Sequence, residues 1–184
     1  MLVKEKLRKR FLYIRKNKYF EINKNFFTPL IKLISLKYKK KNFVLSSYFP
    51  ASYEVDVLKI YETNFIKKKI LYPKVKKNND MNFYKWDKNS VLQINKFGIL
   101  EPIDTKKSII PDIMLVPLLA FDKFNNRLGY GKGYYDNYLN KYLKIKKNIL
   151  RIGIAFSFQK YKKLPSHKND VKLNYILTEK GLSK

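Results

Sequence analysis

Residues 109–119 (IIPDIMLVPLL) are apolar at almost every position, and no other stretch of the chain restricts its fold so tightly. A strand with one wet face alternates apolar and polar side chains, whereas a continuous run of this kind suits a strand covered on both faces, in the middle of a sheet. A loop carrying Gly129, Gly131 and Gly133 follows. Beyond it Tyr134, Tyr138, Leu139, Tyr142 and Leu143 fall at helical spacing, with Asp136 in the first turn. Strand, glycine loop, helix is the order of a layered α/β architecture.

The loop, FDKFNNRLGYGKGYYD over 121–136, reads as an anion site. Alternate glycines remove the side chains that would hold the backbone away from a ligand, so successive amide N–H groups can converge on phosphate oxygens. The helix start behind them adds the positive end of a dipole. Arg127 offers a planar fork, Lys132 a mobile point charge. Asp136 follows where a carboxylate can hold the magnesium that accompanies a nucleotide. The spacing matches neither the P-loop nor the dinucleotide fingerprint. By spacing alone, a flexible connection before a helix, with Asp136 as an ordinary first-turn acid, is an equal alternative. The chain has only six glycines, and the concentration of Gly129, Gly131 and Gly133 beside Arg127 and Lys132 favours the phosphate site.

Residues 116–139 (VPLLAFDKFNNRLGYGKGYYDNYL) closely resemble the signature of the 5-formyltetrahydrofolate cyclo-ligase, or methenyltetrahydrofolate synthetase, family. The resemblance continues in order through nearly the whole chain. KEKLRKR (4–10) resembles the opening basic helix whose lysine and arginine reach ATP phosphates. Those would be Lys4 and Arg8, one helical turn apart. SYFPASYEVD (47–56) resembles the segment that would place Phe49 and Glu54 in the folate site. YPKV (72–75), MNFYKW (81–86) and FGILEP (97–102) are similar to shorter landmarks. LPSHKNDVKLNYILTEKG (164–181) resembles the closing segment, in which Asp170 would join Asp136 as a magnesium ligand.

The resemblance implies a chemistry: the formyl oxygen on N5 of 5-formyltetrahydrofolate takes the γ-phosphate of ATP, N10 attacks the same carbon, and phosphate leaves as the 5,10-methenyl bridge forms. In that scheme Arg127 and Lys132 are catalytic. Leu128, Gly129, Tyr130, Gly131, Gly133, Tyr134 and Tyr135 complete the ATP site with Lys4 and Arg8. Phosphoryl transfer needs positioning and charge more than a covalent nucleophile, which suits a chain with no cysteine and His167 as its single histidine. His167 sits in a Pro-Ser-His-Lys-Asn loop and reads as a solvated surface residue. Glu54, by sequence alone, equally suits a cap for the next helix, and Phe49 equally suits the core. Asn174 stands where many members have aspartate, Val57 where threonine is common, and Tyr130 where some have arginine. A folate-binding protein without catalysis is a further alternative.

The formal charge of +27 raises a different reading, a nucleic-acid-binding protein. Of the 41 basic residues 36 are lysine, spread along the chain with many asparagines, isoleucines, tyrosines and phenylalanines. All of these have A/T-rich codons, so genome composition accounts for them, and no recognition motif organises them. No specific nucleic-acid partner is expected. The same field would steer ATP and folates, polyglutamylated ones included.

The expected fold is a single α/β domain over residues 1–184, three layers with a largely parallel central sheet flanked by helices. Val3, Leu7, Phe11 and Ile14 mark a first helix, and Thr28-Pro29 caps and opens a second. Strands are expected at 43–45, 70–72, 91–94, 109–116, 149–156 and 175–177, and a mobile surface loop at 74–80. With no apolar run long enough to span a bilayer and no signal-peptide pattern, the cytoplasm is the default location; a monomer is expected.

Overall fold

The computed structural model describes residues 2–39, 42–63, 65, 70–86, 90–103 and 107–184. Helices α1 (Leu2–Lys18) and α2 (Thr28–Tyr38) precede β1 (Leu45–Ser46). Two hairpins follow, β2 (Ile70–Val75) with β3 (Met81–Lys85) and β4 (Leu92–Ile94) with β5 (Leu100–Pro102). Strand β6 (Ile113–Pro117) leads into β7 (Ala120–Asp122), β8 (Arg127–Leu128), the glycine loop and α3 (Tyr134–Tyr142). Strands β9 (Leu150–Ile154), β10 (Lys160–Tyr161), β11 (Tyr175–Thr178) and β12 (Gly181–Ser183) close the chain.

The main sheet has seven strands in the order β12-β11-β9-β6-β1-β2-β3. Strands β2, β1, β6, β9 and β11 pair in parallel, and β3 and β12 add antiparallel edges. The expectation of a largely parallel α/β sheet therefore holds. Strand β6 is central, and its side chains alternate between two cores. Ile113 and Leu115 pack with Leu30 and Ile34 of α2. Met114 and Val116 pack with Tyr138 and Leu139 of α3. Neither face meets water, which is why the sequence shows no alternation there. Gly153 in β9 has a packing cause: a Cβ would lie 2.6–2.9 Å from side-chain atoms of Leu173, Leu118 and Ile176.

Several expectations need correction. The 91–94 run forms β4, which pairs with β5 in a small separate sheet instead of joining the main one. Residues 74–80 are not a loop throughout. Lys74 and Val75 pair with Asn82 and Met81, and only the turn between them leaves the ladder, with Asn78 and Asn79 in the left-handed conformation. Its lysines and asparagines decorate a sheet edge, so composition hides the strand. Thr28 does not cap α2; a 3-10 turn over Lys24–Phe27 runs straight into it. Leu7 and Phe11 of α1 pack on Leu119, Ala120, Leu128 and Leu164. Val3 instead stays 62% exposed, because in this first turn Lys4 faces the protein.

Among the described residues, no helix is long and apolar enough to cross a membrane.

Candidate active site

All the residues predicted for ATP, folate and metal line one cavity of about 720 Å³. Four distant segments supply them. Lys4 and Arg8 come from α1, Phe49 and Glu54 from the segment after β1, and residues 127–136 from β8, the glycine loop and the start of α3. Asp170 comes from the segment before β11. The weaker landmarks build the remaining wall through Pro73, Val75, Met81, Phe97, Ile99 and Leu100.

The glycine loop is launched by a buried carboxylate. Asp122, 1% exposed, accepts hydrogen bonds from the N–H groups of Phe124, Asn126 and Leu164 and from Asn126 Nδ2, at 2.9–3.1 Å. Burial would raise its pKa. These bonds outweigh that and hold it below the usual carboxylate range. The turn it organises returns the chain along β8 and delivers Gly129 to the cavity. Arg8 then lies across the loop, donating from Nε to Gly129 O at 3.0 Å. A Cβ on Gly131, whose φ is +97°, would meet the Arg8 guanidinium at 3.0–3.3 Å. The backbone at Gly131 therefore favours glycine, and a Cβ there would also press on the Arg8 side chain. Gly133, at φ +73°, is the left-handed residue before α3. Gly129 has neither constraint: nothing lies within 4 Å of its would-be Cβ and its φ is ordinary.

The cations differ in how they are held. The side chain of Arg127 is 4% exposed, with Nη2 on Asp136 Oδ1 at 2.7 Å and Nη1 donating to Val171 O at 2.6 Å. Its fork, expected to face a phosphate, is occupied by the protein. Lys4 pairs with Asp170 Oδ2 at 2.6 Å. Lys132 is exposed and carries no hydrogen bond or ion pair among the described residues, leaving its charge for a ligand.

Asp136 Oδ1 also accepts the Val171 N–H at 2.9 Å, and Asp170 Oδ2 the His167 N–H at 2.7 Å. The Lys4 hydrogen bond and charge, with the His167 N–H, outweigh burial and hold the Asp170 carboxyl below its ordinary range. The second oxygen of each carboxylate takes no hydrogen bond among the described residues. Those residues contain no group of three or more His, Asp or Glu that could hold a metal. A donor set of two carboxylates with one open oxygen each suits magnesium, which takes oxygen ligands and draws the rest from water and nucleotide phosphates.

At the other end of the cavity Glu54 is 8% exposed. Its Oε2 accepts the Ala51 N–H at 2.9 Å and its Oε1 accepts the Tyr130 hydroxyl. Burial raises its pKa, opposed by Arg15, Tyr130 and the Ala51 N–H. Glu54 is not the cap of the next helical turn; Asp56 takes that place, accepting the Leu58 N–H at 3.0 Å. Phe49 stacks on Tyr72 at 4.3 Å between ring centroids and also lines the cavity, so it is packed in the core and reaches the cavity at once. His167 is exposed at the cavity rim. Sequence reasoning passed over Tyr48, whose buried hydroxyl in the cavity wall has no hydrogen-bond partner among the described residues, and Arg15, buried beneath Tyr130. Neither carried a sequence signal: Tyr48 is one of 15 tyrosines, and Arg15 is one cation in a basic helix.

The model of the 5-formyltetrahydrofolate cyclo-ligase family matches residues 1–179. The chain belongs to this family. It is 34% identical over 125 residues to a probable 5-formyltetrahydrofolate cyclo-ligase of Schizosaccharomyces pombe, covering 60% of this chain and 61% of that relative. Against the 5-formyltetrahydrofolate cyclo-ligase of Haemophilus influenzae it is 32% identical over 146 residues, covering 74% and 75%. The solved structure of Aquifex aeolicus 5,10-methenyltetrahydrofolate synthetase superposes with a TM-score of 0.73 at 31% identity, covering 98% of this chain and 91% of the other.

Two departures from the cyclo-ligase pattern now have structural places. Asn174 lies outside the cavity lining: its side-chain oxygen accepts the Arg151 N–H at 2.9 Å and its own N–H donates to Arg151 O, tying the closing segment to β9. Val57 is fully buried in the core. Tyr130, the third, belongs to the cavity itself.

Proposed function

We propose that the protein converts 5-formyltetrahydrofolate to 5,10-methenyltetrahydrofolate, consuming ATP with magnesium and releasing ADP and phosphate. Membership of the cyclo-ligase family supports the reaction. The observation that carries the assignment of residues is the convergence of α1, the 47–56 segment, the glycine loop and the Asp170 segment on one cavity. Its cations and glycine loop lie with Asp136 and Asp170, and Glu54 stands with apolar walls.

In this reading the formyl oxygen attacks the γ-phosphorus and ADP leaves. N10 then attacks the formyl carbon of the imidate phosphate, loses its proton, and phosphate departs as the ring closes. Lys132 neutralises charge on the transferring phosphoryl group, together with the loop amides. Arg8 and Lys4 bind the nucleotide phosphates from α1. Arg127 acts through Asp136, which it holds in place. Asp136 and Asp170 would hold magnesium, which when bound neutralises phosphate charge and orients the transferring group. Glu54 accepts hydrogen bonds from the amines of the pterin, with Tyr48 nearby as a further polar contact. Phe49, anchored on Tyr72, gives that end a flat apolar wall.

We further propose that it works in the cytoplasm as a monomer, one domain spanning residues 1–184, and that no specific nucleic acid is its ligand. Polyglutamate tails would reach a basic surface. The test is the appearance of the methenyl-folate absorbance from purified protein, ATP, magnesium and 5-formyltetrahydrofolate. ATP-dependent signal is expected, and its absence from folded protein would sink the reading.

A further inference from the structure

We infer that Arg15, Tyr130 and Glu54 form a positioning bridge that couples occupancy of the glycine loop to binding at the Glu54 end of the cavity. The inference rests on the reading of the cavity as a joint nucleotide and formylfolate site.

Arg15 projects from α1 into the core and is 1% exposed. A guanidinium so enclosed needs both a counter-charge and acceptors. Its Nη1 donates to Leu118 O at 3.2 Å and stands 3.9 Å from Glu54 Oε1. Its Nη2 donates to the Tyr130 hydroxyl at 2.5 Å, and that hydroxyl donates in turn to Glu54 Oε1. Because the guanidinium occupies the oxygen of the phenol, the proton has one direction left, toward the carboxylate. Burial first, then the charge of Glu54, pushes the Tyr130 phenol well above its ordinary range, so it stays a donor.

The bridge begins on the loop and ends at the other side of the cavity. Tyr130 sits between Gly129, whose carbonyl accepts Arg8 Nε, and Gly131, which the Arg8 guanidinium covers. A nucleotide gripped by Arg8 and the loop amides thereby fixes the backbone of Tyr130. The phenol then fixes Oε1 of Glu54, while the Ala51 N–H already holds Oε2. Tyr48 and Tyr135 bring to the same cavity buried hydroxyls with no hydrogen-bond partner among the described residues, which a polar ligand could satisfy. The Tyr130–Glu54 hydrogen bond, braced by Arg15, thus joins the two halves. By linkage, each ligand must tighten the other by the same factor.

The experiment is calorimetric titration of the full chain with 5-formyltetrahydrofolate, with and without a non-hydrolysable ATP analogue and magnesium, in the parent and in Tyr130→Phe. The parent should bind formylfolate roughly 5- to 150-fold more tightly when the analogue is present, the usual span of coupled sites. In Tyr130→Phe the factor should fall to near one although each ligand still binds. A merely structural loss would weaken both affinities and leave their ratio unchanged. Arg15→Met should behave as Tyr130→Phe; should it not fold, Tyr130→Phe decides alone. Undiminished coupling in Tyr130→Phe, or none in the parent, overturns the bridge and leaves the proposed reaction standing. A parent that binds neither ligand overturns the reading of the site and the bridge with it.

Discussion

Alanine placed in turn at Gly129, Gly131 and Gly133 separates what the fold needs from what a ligand needs. At Gly131 the methyl group meets a backbone at φ +97° and Arg8 Cζ, Nε and Nη1 at 3.0, 3.2 and 3.3 Å. The backbone strain alone is worth about 1–3 kcal/mol. Arg8 must also shift, loosening its hydrogen bond to Gly129 O. For a chain of 184 residues each kcal/mol lowers Tm by about 2–4 °C, so a drop of roughly 2–12 °C is expected. At Gly133, φ is +73° but the nearest atoms are the Asn137 amide at 3.8 Å, ordinary contact. Only the left-handed penalty of about 1–2 kcal/mol remains. At Gly129 neither term applies and Tm should not move. Thermal denaturation of the three variants should rank the losses Gly131, Gly133, Gly129. The KM for ATP in the methenyl-absorbance assay then reads the ligand term. Gly129→Ala, stable as the parent, should raise that KM because its methyl stands where phosphate oxygens approach the backbone. A Gly129→Ala protein as destabilised as Gly131→Ala refutes the geometry, and one with unchanged KM refutes the close approach.

Lys132→Ala should lower turnover by roughly 10²-fold or more, the scale for removing one preorganised charge, with Tm unchanged because Lys132 is exposed and unpaired among the described residues; parent-like turnover would remove it from the chemistry. Asp136→Asn should raise the magnesium concentration for half-maximal turnover and release Arg127 from its 2.7 Å partner; an unchanged magnesium dependence would count against Asp136 as a ligand. Asp122→Asn should cost about 1.5–3 kcal/mol at neutral pH, the worth of a charged hydrogen bond, read by denaturant unfolding. Its sign with pH follows from a native pKa held below the ordinary value: the stabilisation is full above the unfolded-state aspartate pKa and is lost as pH falls through the native one. The gap between parent and variant should therefore close in acid, and a gap independent of pH would refute the account.

What the sequence made legible depended on whether its signal was local. The uninterrupted apolar run around β6 and the tyrosine and leucine spacing of α3 report burial by neighbouring helices; α3 formed where expected, and β6 over Ile113–Pro117, the second half of the expected span. The cavity lining was legible because glycine loop, basic helix and carboxylates sit in recognisable order, though composition alone would have left a loop before a helix. Arg15 was not legible. It lies in a helix of lysines and arginines, and only partners 39, 103 and 115 positions away, Glu54, Leu118 and Tyr130, distinguish it from a solvated one. The hairpin after β2 was misread for a related reason: Lys76, Lys77, Asn78 and Asn79 are polar because they turn at a sheet edge, and nothing local records the ladder of Lys74 and Val75.

The same distinction bears on the surplus of positive charge. Were the +27 net charge the functional device, the cavity would share it. Instead Lys4, Arg8, Arg127 and Lys132 stand against Glu54, Asp136 and Asp170, four cations to three carboxylates. Lys4 and Arg127 are moreover engaged by Asp170 and Asp136. A polyanionic nucleotide entering this cavity finds Lys132 and Arg8 as cations without a carboxylate partner among the described residues, too little to balance a triphosphate. A divalent ion at the open carboxylate oxygens would make up the difference, while the remaining lysines act only at the range of a screened surface field. Salt should therefore slow the encounter of nucleotide and protein more than it weakens the bound state.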